Sequence, residues 1–307
     1  MSKKILLVGN ISNLAENLFL EAGFNVERIK DASDRDAIIR SLITADAVCG
    51  RTAMQLDRGV IENATNLKVI AVFSVNTSGV NVDTAKEKDI EIFSAAGLSA
   101  VSVAELTFGL IVALLRKIPQ QDSRLKAGKW RKSAANDNAH EVAGKTLGII
   151  GMGDIGQKVA KIARVFDMQV LFFDPFLEKS PSTEFKKVNK EELLKDSDIV
   201  TVHAATGDEL VGESDIKLMS NSAYLINMAR STTVNASALA SALESNQLAG
   251  AAIDVHDKER DPFESVFLKE KIKDKVVLTN HSGGETLEAR ERISKVIARR
   301  VIDCLQQ

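Results

Sequence analysis

The sequence is poor in the features that announce a specialised protein. Its two cysteines, Cys49 and Cys304, lie far apart and neither belongs to a CxxC pair. That excludes a disulfide framework and a cysteine-based metal site, and no metal is expected. With four prolines and no Gly/Pro-rich tract, no flexible linker marks a domain boundary, and neither an internal repeat nor a low-complexity segment is present. The charges nearly cancel, 40 Lys and Arg against 42 Asp and Glu. The basic excess that phosphate backbones demand is missing, so no nucleic acid partner is expected. No apolar run approaches the roughly 20 residues of a membrane helix. The apolar stretch within Met1–Val8 is too short for a signal peptide. No membrane partner and a cytoplasmic location are therefore expected.

What is present is a rhythm. Of the 307 residues, 45% are hydrophobic and 27% charged, the balance of a globular chain long enough for two domains. Short β-branched runs at 5–8, 47–49, 69–73 and 90–93 alternate with helix-like segments at 14–22 and 34–42. A long helical stretch over 101–126 follows. The strand-helix alternation then restarts, with strands at 146–150, 169–173, 199–203, 224–227, 250–255 and 276–279, and a last helix over 285–305. Alternation of this kind argues for parallel sheets with helices on both faces. The restart argues for two doubly wound α/β domains, and the final helix, with no strand after it, is placed to cross back to the first.

Gly151-Met152-Gly153-Asp154-Ile155-Gly156 sits between the strand 146–150 and a helix over 157–166. A lone GxGxxG arises often by chance. In this context its glycines allow a tight turn, close approach of backbone to a pyrophosphate, and close helix-sheet packing, while the helix N-terminus favours the phosphates. The next strand ends at Asp174, 18 residues beyond Gly156. A carboxylate there suits ribose hydroxyls and repels a 2′-phosphate, and Pro175-Phe176-Leu177-Glu178 brings no arginine, so NAD is expected over NADP.

A hydride-transfer enzyme also needs an acid/base that titrates near neutral pH, which favours histidine. There are four, His140, His203, His256 and His281. Ligands of open parallel sheets bind beyond the carboxyl ends of strands. His203, His256, His281 and Arg230 occupy such positions, and Glu259 lies a little beyond Asp254. Arginine clamps carboxylates, and a glutamate beside histidine raises the imidazole pKa.

In several stretches the chain resembles the D-isomer-specific 2-hydroxyacid dehydrogenases. These are 66–70, Ser102-Val103-Ala104-Glu105, Ala127-Gly128-Lys129-Trp130, 144–151, Leu225 to Arg230, Gly250 to Val255, and Asn280-His281-Ser282-Gly283-Gly284. The resemblance implies a Rossmann dinucleotide-binding domain over 100–284, inserted in a discontinuous flavodoxin-like substrate domain formed by 1–99 and 285–307. It implies that Arg230 holds the substrate carboxylate and 2-oxo group, that His281 is the general acid/base, and that Glu259 pairs with it. It implies NAD contacts at Gly151, Gly153, Asp154, Ile155, Gly156, Asp174, Ala204, Met228, Ala229, Arg230, Asp254, His281, Gly283 and Gly284. His256 lies one residue past the usual strand motif and is not expected to be catalytic.

The departures from the family fall on the substrate side. The glycine-rich loop whose amides bind the substrate carboxylate corresponds to Ser74 to Asp83, where Asn76 and Ser78 replace glycines. Asn76, Thr77, Ser78 and Gly79 are the expected substrate contacts. Asn280 replaces a proline, and Ser231 and Asn235 replace a glycine and an aspartate. The expected partner is a small 2-oxo or 2-hydroxy acid of hydroxypyruvate, glyoxylate or phosphoglycerate type. For the last, Arg51 is the available extra cation. The alternative is an NADH-binding sensor or corepressor on the same fold, and a formate dehydrogenase is a weaker third. The apolar segment 101–115 exceeds the needs of a hinge, and the family dimerises through its nucleotide domain, so a homodimer is expected.

Overall fold

Strand β1 (Lys4–Val8) sends Ile5 and Leu7 into one hydrophobic cluster and Leu6 and Val8 into another, and all four are essentially inaccessible. A strand buried on both faces belongs to a sheet covered by helices on each side. The computed structural model, which describes residues 2–130, 139–256 and 265–307, contains two such sheets. The chain divides into two units, 1–99 with 285–307, and 100–284.

In the first unit β1 is followed by α1 (Asn13–Glu21), β2 (Asn25–Ile29), α2 (Arg35–Leu42), β3 (Ala47–Gly50), α3 (Arg58–Asn63), β4 (Val69–Val72), α4 (Val82–Glu87) and β5 (Glu91–Ser94). Every pairing is parallel and the strand order is β2-β1-β3-β4-β5. This is the flavodoxin-like order, with its switch point between β1 and β3. Ser12, Asp57 and Asn81 accept from the backbone N–H of Leu14, Val60 and Thr84. Each cap stabilises its helix start by about 1 kcal/mol.

The second unit opens with α5 (Ala100–Leu115) and α6 (Ile118–Lys126). It continues with β6 (Thr146–Ile150), α7 (Asp154–Val165), β7 (Gln169–Phe173), β8 (Phe185–Lys187), α8 (Lys190–Asp196) and β9 (Ile199–Val202). Then come α9 (Glu213–Ile216), β10 (Tyr224–Asn227), α10 (Ala236–Glu244), β11 (Gly250–Ile253) and β12 (Val276–Leu278). Its all-parallel sheet runs β12-β11-β10-β9-β6-β7-β8, a Rossmann order extended by one strand, with the switch point between β6 and β9. Two clusters cover its faces. Val200, Val202 and Leu225 enter one, and Leu147, Ile149 and Ile226 the other.

The last helix, α11 (Leu287–Gln306), belongs to the first unit. Thr286 caps it, and Ile297, Ala298, Val301 and Leu305 join Ile5, Leu7 and Phe19 in one core. Among the described residues no helix is long and apolar enough to cross a membrane.

The structure corrects the sequence reading in two places. The helical stretch expected over 101–126 is two helices, broken at Lys117, which takes a left-handed φ of 55° just before Pro119 at the start of α6. Proline removes an N–H and clashes with the preceding turn, so one continuous helix is excluded. Two strands were not expected, β2 and β8, and both lie at sheet edges. One edge of each is open to solvent, so neither needs the continuous apolar run that marks a central strand.

Candidate active site

The glycine loop sits where β6 turns into α7, beside the switch point. Gly151 has φ +93°, and a Cβ there would lie 2.7 Å from the Ala204 nitrogen. A side chain at Gly156 would come within 2.2 Å of the Gly151 carbonyl oxygen, whereas Gly153 has nothing within 4 Å. The first and third glycines therefore let backbone segments touch, and the second leaves open space before the first turn of α7, as a pyrophosphate requires. Gly156→Ala is expected to lower the thermal midpoint on the order of 5 °C, the cost of overpacking a unit of this size, and to weaken NADH binding. Unfolding scans and NADH fluorescence titration would read this, and unchanged values for both would contradict the close approach.

Asp174 follows β7 directly. One carboxylate oxygen accepts from the Met152 N–H at 2.9 Å and the other from the Phe176 N–H at 2.9 Å. The acid thus ties the end of its strand to the glycine loop and stands half-buried at the loop's rim. Asp154 and Ile155 begin α7. Space opposite Gly153, a helix start and a carboxylate on the neighbouring strand are the donor set a dinucleotide fits.

His203 follows β9, adjacent to Gly151. Its Nε2 lies 2.9 Å from Thr201 Oγ1, and burial alone drives its pKa down to about 3. A ring held neutral to that pH is a packing group and cannot serve as the acid. Ala204 comes next and shares the wall with Gly151.

Beyond β10 the chain winds around Asn227, which is buried. Its amide nitrogen donates to the Arg230 carbonyl at 2.9 Å, and its amide oxygen accepts from the Ala229 N–H at 3.1 Å and the Thr233 hydroxyl at 3.2 Å. Thr233 also donates to the Arg230 carbonyl at 2.7 Å. These bonds set the extended backbone of half-buried Arg230 and place Met228 and Ala229 ahead of it. Sequence reasoning missed Asn227 and Thr233, because a strand-end Asn gives no signal until its partners are known. Asn235, which the resemblance sets in place of an aspartate, caps α10 by accepting from the Ala238 N–H. The replacement keeps the cap.

The turn 279–283 is organised by Asp254, 3% exposed at the end of β11. One carboxylate oxygen accepts from the Thr279 hydroxyl at 2.5 Å and the Ser282 N–H at 2.9 Å. The other accepts from the Gly283 N–H at 3.0 Å. The Asp254 carbonyl accepts from the His281 N–H at 2.8 Å, and the Asp254 N–H donates to the Asn227 carbonyl at 3.1 Å. His281 itself has a left-handed φ of 55° and an exposed side chain. Gly283 fits because a Cβ would press on Asp254 at 3.0 Å and Met228 at 3.3 Å.

A cavity of about 500 Å³ adjoins this turn, lined by His256, Ser265, Leu268, Leu278, Thr279, Asn280 and His281. His256 Nε2 is 2.7 Å from the Thr279 carbonyl oxygen, so that nitrogen carries the proton and supports the turn. Glu259 lies outside the described residues.

The other expected residues sit on the carboxyl edge of the first unit's sheet. Arg51 follows β3, and its Nη2 donates to Glu285 at 2.8 Å. In the loop after β4, the Asn76 side chain accepts from the Ser78 N–H at 2.8 Å, which closes a turn in place of the missing glycines. Thr77 accepts from the Val80 N–H, and a Cβ on Gly79 would strike the Thr52 carbonyl at 2.1 Å.

The sequence profile of the D-isomer-specific 2-hydroxyacid dehydrogenase NAD-binding domain matches residues 108–283. A "putative 2-hydroxyacid dehydrogenase" of Staphylococcus haemolyticus is 37% identical over 304 residues, covering 96% of this chain and 94% of that protein. The chain belongs to the D-isomer-specific 2-hydroxyacid dehydrogenase family. It is an NAD-dependent dehydrogenase. Among solved structures, a Thermus thermophilus protein superposes with a TM-score of 0.88 at 28% identity, over 99% of this chain and 97% of that one. The D-lactate dehydrogenase of Aquifex aeolicus, solved with NAD and lactic acid, superposes at 0.82 with 25% identity, over 98% and 95% of the two chains.

Proposed function

We propose that the protein interconverts a small 2-oxo acid and its D-2-hydroxy acid, with 1–99 and 285–307 forming the substrate domain and 100–284 the cofactor domain. The observation that carries this reading is the Asp254 hub. It fixes the turn bearing His281 and, through the Asn227 carbonyl, joins it to the strand end that carries Arg230. Bound NADH supplies the hydride. Arg230 holds the substrate carboxylate and polarises the adjacent oxygen. Protonated His281 donates a proton to that oxygen during reduction, and its neutral form takes the proton back in the reverse direction. Glu259 is the carboxylate partner of that histidine in this reading. Asn76, Thr77, Ser78 and Gly79 are further substrate contacts in this reading. The cofactor contacts are those of the glycine loop, Asp174, Ala204, Met228 to Arg230, Asp254, His281, Gly283 and Gly284.

The same reading includes a homodimer formed through the nucleotide domain, supported by Val101, 41% exposed on the apolar helix α5, and a cytoplasmic location. The test is NADH oxidation against a panel of small 2-oxo acids, hydroxypyruvate, glyoxylate and pyruvate among them. Turnover of at least one, with the D enantiomer formed wherever the product is chiral, is the expected result. Tight NADH binding without turnover of any would assign the chain to NADH sensing instead.

A further inference from the structure

β3 and β4 leave the first unit's sheet side by side, since the Phe73 N–H donates to the Gly50 carbonyl at 2.8 Å. The two loops that follow are stitched together. The Leu56 N–H donates to the Gly79 carbonyl at 2.7 Å, the Asn81 N–H donates to the Leu56 carbonyl at 2.8 Å, and Gly79 lies against the Thr52 backbone. Arg51, the first residue beyond β3, therefore stands at the base of the loop pair that carries Asn76 to Gly79.

That guanidinium is already engaged. Arg51 Nη2 donates to one Glu285 oxygen at 2.8 Å, and the other oxygen accepts from Arg290 Nε at 3.1 Å and Nη2 at 2.8 Å. Partial burial raises the Glu285 pKa, but the bonds to Arg51 and Arg290 outweigh it and leave the group below its usual range. Glu285 is thus an anion at neutral pH, held against Arg51 at the base of that loop pair.

We propose that Glu285 is a specificity-determining residue: by occupying Arg51 it selects 2-oxo acids with one anionic group over those bearing a second carboxylate or a phosphate. The inference rests on the reading of Asn76 to Gly79 as the substrate-receiving loop. A second anion must displace Glu285 or sit beside a like charge, and either weakens binding. The ion pair is solvent-accessible and individually weak, so the selection is graded.

The test compares kcat/KM with NADH for hydroxypyruvate and pyruvate against 3-phosphohydroxypyruvate and 2-oxoglutarate, in the full chain. Wild type is expected to favour the first pair. Glu285→Gln, close in shape and without the charge, is expected to shift the ratio toward the multiply charged acids by about tenfold, mainly through their KM. The Arg51→Gln/Glu285→Gln double variant is expected to return the ratio toward wild type, a reversal that general loss of structure would not produce. A ratio unmoved in Glu285→Gln, or a wild type that already prefers multiply charged acids, overturns this inference while leaving the dehydrogenase reading intact. A wild type that reduces no 2-oxo acid overturns that reading, and this inference with it.

Discussion

Replacing His281 with Gln is expected to lower kcat by roughly 10²–10⁴-fold, the range for loss of a general acid/base. The affinity for NADH should fall by far less, since the other cofactor contacts are untouched. The other histidines are poor alternatives. His140 is exposed on a loop, His203 is buried and neutral down to a pKa of about 3, and His256 is committed to the Thr279 carbonyl. Glutamine keeps the hydrogen-bonding capacity of the ring without its proton exchange. The contact that seats residue 281, its N–H on the Asp254 carbonyl, is backbone and survives the change. Steady-state rates with NADH and the best 2-oxo acid, set beside an NADH fluorescence titration, separate the two effects. Near-normal turnover in this variant would sink the assignment, and loss of cofactor binding would mean that the histidine acts chiefly by holding NADH.

The second large effect is expected at Asp174. Asp174→Ala should move the preference between NADH and NADPH by about two orders of magnitude toward NADPH. A carboxylate beside a 2′-phosphate costs several kcal/mol, and each 1.4 kcal/mol is a factor of ten. The variant also gives up the bonds to the Met152 and Phe176 N–H groups, so the loop loosens and binding of NADH itself weakens. The ratio of kcat/KM for the two cofactors is the measurement. An unchanged ratio, with both values reduced alike, would leave Asp174 a purely structural tie.

Much of the fold was legible because a parallel sheet demands continuous apolar strands between helices. Thr146–Ile150, Gln169–Phe173 and Tyr224–Asn227 were located to the residue. β2 and β8 escaped because an edge strand such as Asn25-Val26-Glu27-Arg28-Ile29 is half-exposed and carries charge. The break at Lys117 escaped because a pattern of Ala, Leu and Ile shows composition but not a single left-handed residue. The glycine loop could be read directly, since its chemistry is backbone chemistry at fixed spacing. Arg230 was placed by residue type and strand-end position, a position His281 shared with His203 and His256, and the family resemblance alone singled out His281. Asn227, Thr233 and the partnership of Arg51 with Glu285 did not, because each acts through a contact distant in sequence or dependent on local winding.

The place of α11 has a consequence for how the protein is made. Its Ile297, Ala298, Val301 and Leu305 complete the core around Ile5, Leu7 and Phe19, yet the whole of 100–284 is translated in between. At about 5–20 residues per second the ribosome needs roughly 10–40 s for that span. During this interval the part of the sheet face beside β4 and β5, which α11 covers, lacks its native partner. The 100–284 unit is contiguous and can close first. The amino-terminal sheet, born earliest, is finished last, and that interval is when the chain most needs shielding from aggregation.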